Sequence, residues 1–317
     1  MSARLINERG VRPVAFDGPG VQELLAAGFF WVDVEAPDEE QYRSLEQLGI
    51  HDLVLEDARH FGQRPKLEEY DDYVVLVLYG VDSGDDPLVE VHCLWSERFL
   101  ITLHRWDCPA LAVAREGHGH RREGVSAGAT AVHRVADALV DSFLPLLESL
   151  GDRIDELEMA LLESPEEAEL REVYAIRRRL VDLRKVVGPE RDLLSRLLAD
   201  AAALPGVSVE AERRFRDVYD HVIRVETLID SHREVVSGAM EAYHLGAAAR
   251  LNQVMKQLTL IATIFLPLTF LIGFFGQNFA WMVRELSSQW AFWVIGVGSE
   301  LVVVAALLAL FRRRGWL

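Results

Sequence analysis

The chain has 317 residues, half of them hydrophobic and 26% charged, with a formal net charge of −17. That length accommodates one or two soluble domains beside any membrane part, and the acidic balance argues against nucleic acid as a partner. Cys93 and Cys108 are the only cysteines, so no disulfide framework is expected, and no nucleophile and base pattern, phosphate-binding glycine loop or metalloprotease helix motif marks an enzyme.

The opening MSARLINERG has no apolar core, so no cleavable secretion signal is expected. Residues 29–34 read as a strand. Pro37 and Asp38 then open a helix to Leu48, with Gly49 as its stop, and HDLVLEDARH forms a further short helix carrying Glu56 and Asp57. The β-branched and aromatic runs 73–79, 89–95 and 99–104 are strands, separated by the turn-forming segments DSGDDP and SER. Together these make a small α/β domain over residues 1–124. His104, Cys108, His118 and His120 match no recognised metal-ligand spacing and read as scattered surface or core residues.

From Ala129 the apolar period lengthens to that of helices. Val132, Val135, Leu139, Phe143, Leu146, Leu150, Ile154, Leu157 and Leu161 form one stripe. Ser164-Pro165-Glu166-Glu167 starts a second helix, over residues 165–204, that runs back antiparallel with Pro189 as a kink point. After Pro205 and Gly206, Phe215, Val218, Val222, Val225, Ile229, Val236 and Met240 open a third register that no proline interrupts before Pro267. One helix over 209–275 is predicted, on the order of 100 Å long at 1.5 Å per residue. Residues 125–257 thus make an antiparallel helical layer and a stalk.

Residues 258–278 carry no charge, and about 20 apolar residues suffice to cross a bilayer core. A second apolar run, 290–311, ends in Arg312, Arg313 and Arg314, so residues 258–317 form a membrane hairpin with a basic tail. Arg250 and Lys256 precede the first span, whereas the intervening loop has only Arg284 and Glu285, which sets both termini in the cytoplasm. From Arg250 onward six Lys and Arg face two Glu, leaving the residues before it at −21. Two helices enclose no pore, so conduction would require several copies around one axis. Asn252, Met255, Thr259, Ala262, Leu266, Thr269 and Gly273 share one helical face, which suits either a path around an axis or the close approach of neighbouring helices.

RLNQVMKQLTLIATIFLPLTF, followed by GQNF and the basic tail, resembles the CorA family of divalent-cation channels, part of the two-span Gly-x-Asn superfamily. GIHDLVLEDARHFGQRPKLEEYDDY and FRDVYDH resemble the cytoplasmic segments of that family, so the likeness covers nearly the whole chain. It implies an α+β membrane protein with an N-terminal α/β cytoplasmic domain, a long helical stalk and two C-terminal transmembrane helices. It further implies a homopentameric funnel in the lipid bilayer of the cytoplasmic (inner) membrane, whose five first-span helices line a path for Mg2+. By motif, Gly276, Gln277 and Asn278 stand at the selectivity filter, and Asn252, Met255, Leu258, Leu266, Thr269 and Gly273 line the path. Asp57 and Asp217, with Glu56 as a helper, match a regulatory Mg2+ pair across a subunit interface; spacing alone would make them ordinary helix-surface acids.

Three positions depart from the family pattern. Gln277 replaces the usual Met, which leaves Zn2+, Co2+ or Ni2+ open as alternative cargo; a non-conducting membrane-anchored sensor or scaffold is the separate alternative class. Ala280 and Arg284 stand where many relatives have acids. Glu300 lies midway along the second span, as a hydrogen-bonded carboxyl or as part of a proton-coupled mechanism.

Overall fold

The computed structural model describes residues 3–7, 10–82, 88–116, 125–163, 167–277, 279–286 and 288–316. The chain divides into two compact units, residues 1–240 and 241–317.

The first unit is built on a seven-stranded sheet: β1 (Ala3–Asn7), β2 (Gly10–Pro13), β3 (Phe30–Glu35), β4 (Lys66–Glu69), β5 (Val74–Val81), β6 (Leu88–Trp95) and β7 (Phe99–His104). Their order is β2-β1-β3-β7-β6-β5-β4. Only β3 and β7 pair in parallel, with Asp33 opposite Thr102; the other described pairs are antiparallel. Helices cover both faces of this sheet. Strands enclosed in that way read as unbroken apolar runs, which is why β3 and β5 to β7 were legible. The exposed edge strand β2 and the four-residue β4 carry little such signal.

On one face, α1 (Gly18–Ala27), α2 (Glu39–Gln47) and α3 (Asp52–His60) pack Val21, Leu24, Tyr42, Leu45, Val54 and Leu55 against Val32, Val34, Ile101 and Leu103. Asp38 and Gln41 form a reciprocal capping box at the start of α2. The other face meets α4 (Pro109–Glu116), α5 (Ala127–Asp141), α6 (Phe143–Glu163) and α7 (Glu167–Ala199). A short 3₁₀ turn, Ala201–Ala203, closes α7, so this helix ends earlier than predicted. Pro189 lies inside it. The predicted Ser164-Pro165-Glu166 start lies outside the described residues, as do His118, His120, Gly124 and most of the DSGDDP turn.

The stripe predicted from Val132 to Leu161 is broken at Ser142. Pro145 has no N–H for the Asp141 carbonyl, and α5 ends at this point. The buried stripe keeps its register across the break and differs at one position, where Leu147 is fully buried and the predicted Leu146 is only half-buried.

At the end of β5 beyond the reach of β4, side chains stand in for a missing strand. The Tyr79 N–H donates to Glu190 Oε1 at 3.2 Å and the Val81 N–H to Ser142 Oγ at 2.8 Å. Glu190 belongs to α7 and Ser142 to the α5–α6 break, so the helical layer is fastened to alternate residues of one strand.

α8 (Val209–Phe275) has the bounds read from the sequence and carries the first apolar span. The second unit also holds α9 (Ala280–Glu285), the single turn α10 (Gln289–Ala291), a π-helical segment Phe292–Val297 and α11 (Gly298–Arg313). Neither α9 nor the π segment is signalled by hydropathy alone. The most apolar 18-residue window of α8 is 0% buried and that of residues 289–313 is 6% buried, unlike core helices of a soluble protein.

Candidate functional site

Asn252, Met255, Leu258, Leu266, Thr269 and Gly273 fall within a sector of roughly 120° on α8 at 3.6 residues per turn. All are exposed in the single chain, Leu258 at 60% and Leu266 at 73%. The hydroxyls of Thr259, Thr263 and Thr269 donate to the carbonyls of Met255, Thr259 and Phe265 at 2.8, 2.7 and 2.8 Å. With its proton engaged by the backbone, the Thr269 hydroxyl presents only oxygen lone pairs on this face. Pro267 supplies no N–H to the Thr263 carbonyl, yet α8 continues through it.

At the end of α8, the Gly276 N–H donates to Ile272 O at 2.9 Å. A Cβ at position 276 would lie 3.0 Å from that oxygen, a closeness that favours glycine. Asn278 lies outside the described residues. Gln277 accepts the Phe279 N–H through its carbonyl at 2.9 Å. It borders a cavity of about 270 Å3 lined by Phe275, Met282, Leu286, Phe292 and Ile295, so the amide replaces a thioether beside a largely apolar space. Ala280, Arg284 and Glu285 all belong to α9. Glu300 stands in the first turn of α11, directly after the π segment, and is half-buried.

The acids of the soluble unit take different partners. Asp57, near the end of α3, is held by Lys66 Nζ at 2.6 Å, and the same ammonium reaches Glu68 at 2.9 Å. Glu56 is exposed, as is Asp217 on α8. Within the chain, then, Asp57 is paired with Lys66 and not with Asp217.

Asp217 instead borders a group that sequence reasoning missed. Asp137 and Asp141, one turn apart on α5, face His221 on α8, with ligand atoms within 4.8 Å of one another. His221 Nδ1 lies 2.8 Å from Asp141 Oδ1 and 4.0 Å from Asp137 Oδ1. Burial pushes the Asp137 carboxyl up, the charges of Asp141 and Asp217 add to the rise, and His221 opposes it. Two carboxylate oxygens and an imidazole nitrogen make a partial shell that a divalent ion would complete with water. Among the described residues this is the only group of three or more such side chains close enough to share an ion. Two signals were present: the i, i+4 spacing of the two acids and the i, i+4 spacing of Asp217 and His221.

His104 and Cys108 form no such group. His104 is buried, with Nε2 3.2 Å from Asp33 Oδ1 and Nδ1 2.5 Å from the Trp106 carbonyl oxygen, and burial pushes the Cys108 thiol up to about 11.

Comparison with known proteins extends the likeness over the chain. The family described as CorA-like Mg2+ transporter protein matches residues 26–313. The cobalt/magnesium transport protein CorA of Thermotoga maritima is 35% identical over 279 residues, 86% of this chain and 78% of that protein. The putative metal ion transporter YfjQ of Bacillus subtilis is 31% identical, covering 91% of this chain and 90% of its own. The solved structure of the CorA magnesium transporter from Methanocaldococcus jannaschii has a TM-score of 0.83 at 21% identity, covering 100% of this chain and 99% of that one, and so shares the fold.

Proposed function

The chain belongs to the CorA-like Mg2+ transporter family, and from that premise we propose that it carries magnesium across the cytoplasmic membrane as a homopentamer, with both termini cytoplasmic and with intracellular magnesium closing the path. The observation that carries this reading is the continuity of the family match, residues 26–313, which takes in the soluble body and both apolar spans.

The physical account begins at the outer mouth. Magnesium gives up its water reluctantly, so five Asn278 carboxamides accept hydrogen bonds from the hydration shell and leave the ion hydrated. Below them, rings of Leu266, Leu258 and Met255 exclude water when narrow and admit the hydrated ion when wide. Asp57 and Asp217 of neighbouring subunits repel until a divalent ion neutralises them, with Glu56 assisting; an occupied pair holds the subunits in the closed arrangement. Asp137, Asp141 and His221 extend the anionic corner around Asp217 and add ligands to that regulation.

The direct test is a liposome assay with a magnesium-sensitive dye. The wild-type chain is expected to admit magnesium, and Asn278→Ala is expected to lower that flux or its selectivity over other ions at least several-fold. No flux from the wild type would favour the membrane-anchored scaffold, and preference for Zn2+, Co2+ or Ni2+ in competition would reassign the cargo to Gln277-tolerant ions.

The regulatory reading has its own outcome. In the same liposomes, the double variant Asp57→Ala with Asp217→Ala should conduct at internal magnesium concentrations that silence the wild type. An unchanged inhibition curve would remove this pair from the mechanism.

A further inference from the structure

The C-terminal end of α11 is closed by a defined motif. The Gly315 N–H donates to Arg312 O at 3.2 Å and the Trp316 N–H to Phe311 O at 2.9 Å, with Gly315 at φ 67°. These are the two reverse bonds of a Schellman motif, and the left-handed residue between them is the one type that carries no Cβ penalty. The motif folds Trp316 back onto Phe311, with ring centroids 6.0 Å apart and planes 3° from parallel. Phe311 is consequently only 4% exposed, although its neighbours along the span are uncovered.

In the sequence between Phe311 and Trp316 come Arg312, Arg313 and Arg314, all exposed. No carboxylate pairs with any of them among the described residues. Successive residues at about 100° intervals fan the three guanidiniums around the helix end, so no single acidic side chain could meet them all. They follow directly on the apolar run of α11, which fixes their level at the boundary between hydrocarbon and water. Trp316, held beside them, is the residue type enriched at that boundary.

We propose that this capped helix end is a binding surface for the headgroups of anionic phospholipids, each arginine meeting a phosphodiester and Trp316 fixing the depth of the ring of charge. Guanidinium presents a planar fork that matches phosphate oxygens in pairs, which a bilayer surface offers all along the lipid-facing side of the helix end. An acidic segment of protein would reach only one side of the fan. The inference rests on the reading that residues 289–313 cross a membrane, but not on transport or on its direction.

Native mass spectrometry of the full-length chain, purified in detergent with equal amounts of phosphatidylglycerol and phosphatidylcholine, tests it. The wild type should retain phosphatidylglycerol preferentially, and R312Q/R313Q/R314Q should lose that preference by roughly fivefold per arginine. If the triple variant fails to fold, R313Q alone should show a loss of roughly fivefold. Equal retention of the two lipids by the wild type, or undiminished preference in a folded triple variant, overturns the proposal. So does displacement of bound phosphatidylglycerol by millimolar inorganic phosphate, which would mark a site for a free anion. A chain that conducts no magnesium yet keeps its lipid preference would sink the transport reading and leave this one standing; a chain that stays in water without detergent would sink its membrane premise.

Discussion

Asp33→Ala should destabilise the soluble unit by about 3 to 5 kcal/mol, the cost of removing one member of a buried ion pair and leaving its partners behind. Asp33 is fully buried at the centre of the sheet. Its carboxylate accepts the Thr102 hydroxyl at 2.6 Å and an N–H of Arg115, the residue that ties α4 to this face, while His104 Nε2 stands 3.2 Å away. Burial pushes the Asp33 carboxyl up, but the contacts with His104, Thr102 and Arg115 outweigh it and hold the carboxyl below its ordinary value. Such a group stabilises the fold above its unfolded pKa, and that contribution is lost as pH falls through the depressed folded value. His104 runs the other way. Asp33 outweighs burial and raises the imidazole, so its contribution is present below its unfolded pKa and is lost as pH rises through the raised folded value. Unfolding of the full chain in detergent, followed by circular dichroism, measures the loss. Asp33→Asn should cost less, because His104 can then become neutral and the amide still accepts from Arg115. Equal stability of Asp33→Ala and wild type near neutral pH would show that the network contributes nothing net.

Glu190→Gln should do the reverse and stabilise the chain. The Glu190 side chain is buried in the α7–sheet interface, one oxygen accepting from Tyr79 and the other, Oε2, with no partner. Burial pushes this carboxyl up to about 8, against a lesser opposing pull from the Tyr79 N–H. An acid whose folded pKa is raised stays protonated in the fold while the unfolded chain ionises, so stability declines from about pH 4.5 to about pH 8 and levels off above that. At about 1.4 kcal/mol per unit the total approaches 4 to 5 kcal/mol. Tyr79 is the titratable side chain facing Glu190 from the sheet, and its hydroxyl is engaged by Gln63 and Glu90. On the flanks, Arg191 is committed to Glu226 and Asp192, and Lys66 to Asp57 and Glu68. The glutamine keeps the acceptor for Tyr79 and cannot ionise. Its melting temperature should therefore fall less than that of the wild type between pH 5 and pH 8, and parallel curves would mean that Glu190 is ionised in the folded chain.

Much of this architecture was legible before the structure. The bounds of α8 could be read because a single apolar register runs from Val209, after Pro205 and Gly206, to Phe275, before Gly276. The central strands could be read because enclosure on both faces leaves no polar alternation to confuse them. What was lost was local. The break at Ser142 lies three residues before a proline, and β2 is wholly exposed, with Val11 alone to announce it. The candidate site divides in the same way. The span face follows from helical spacing, whereas Asp57 and Asp217 owe their pairing to resemblance, since each alone is an acid on a helix. Asp137, Asp141 and His221 went unnoticed because the histidine lies 80 residues from Asp141 in sequence, and two acids a turn apart are what any solvated helix displays.

The two side chains that close the far end of β5 also constrain how the soluble unit can move. Ser142 and Glu190 come from different helical segments yet peg alternate amides of one strand. Sliding either segment along the sheet would strip a half-buried strand N–H of its acceptor. Displacement of either segment along β5 thus costs one of these two hydrogen bonds.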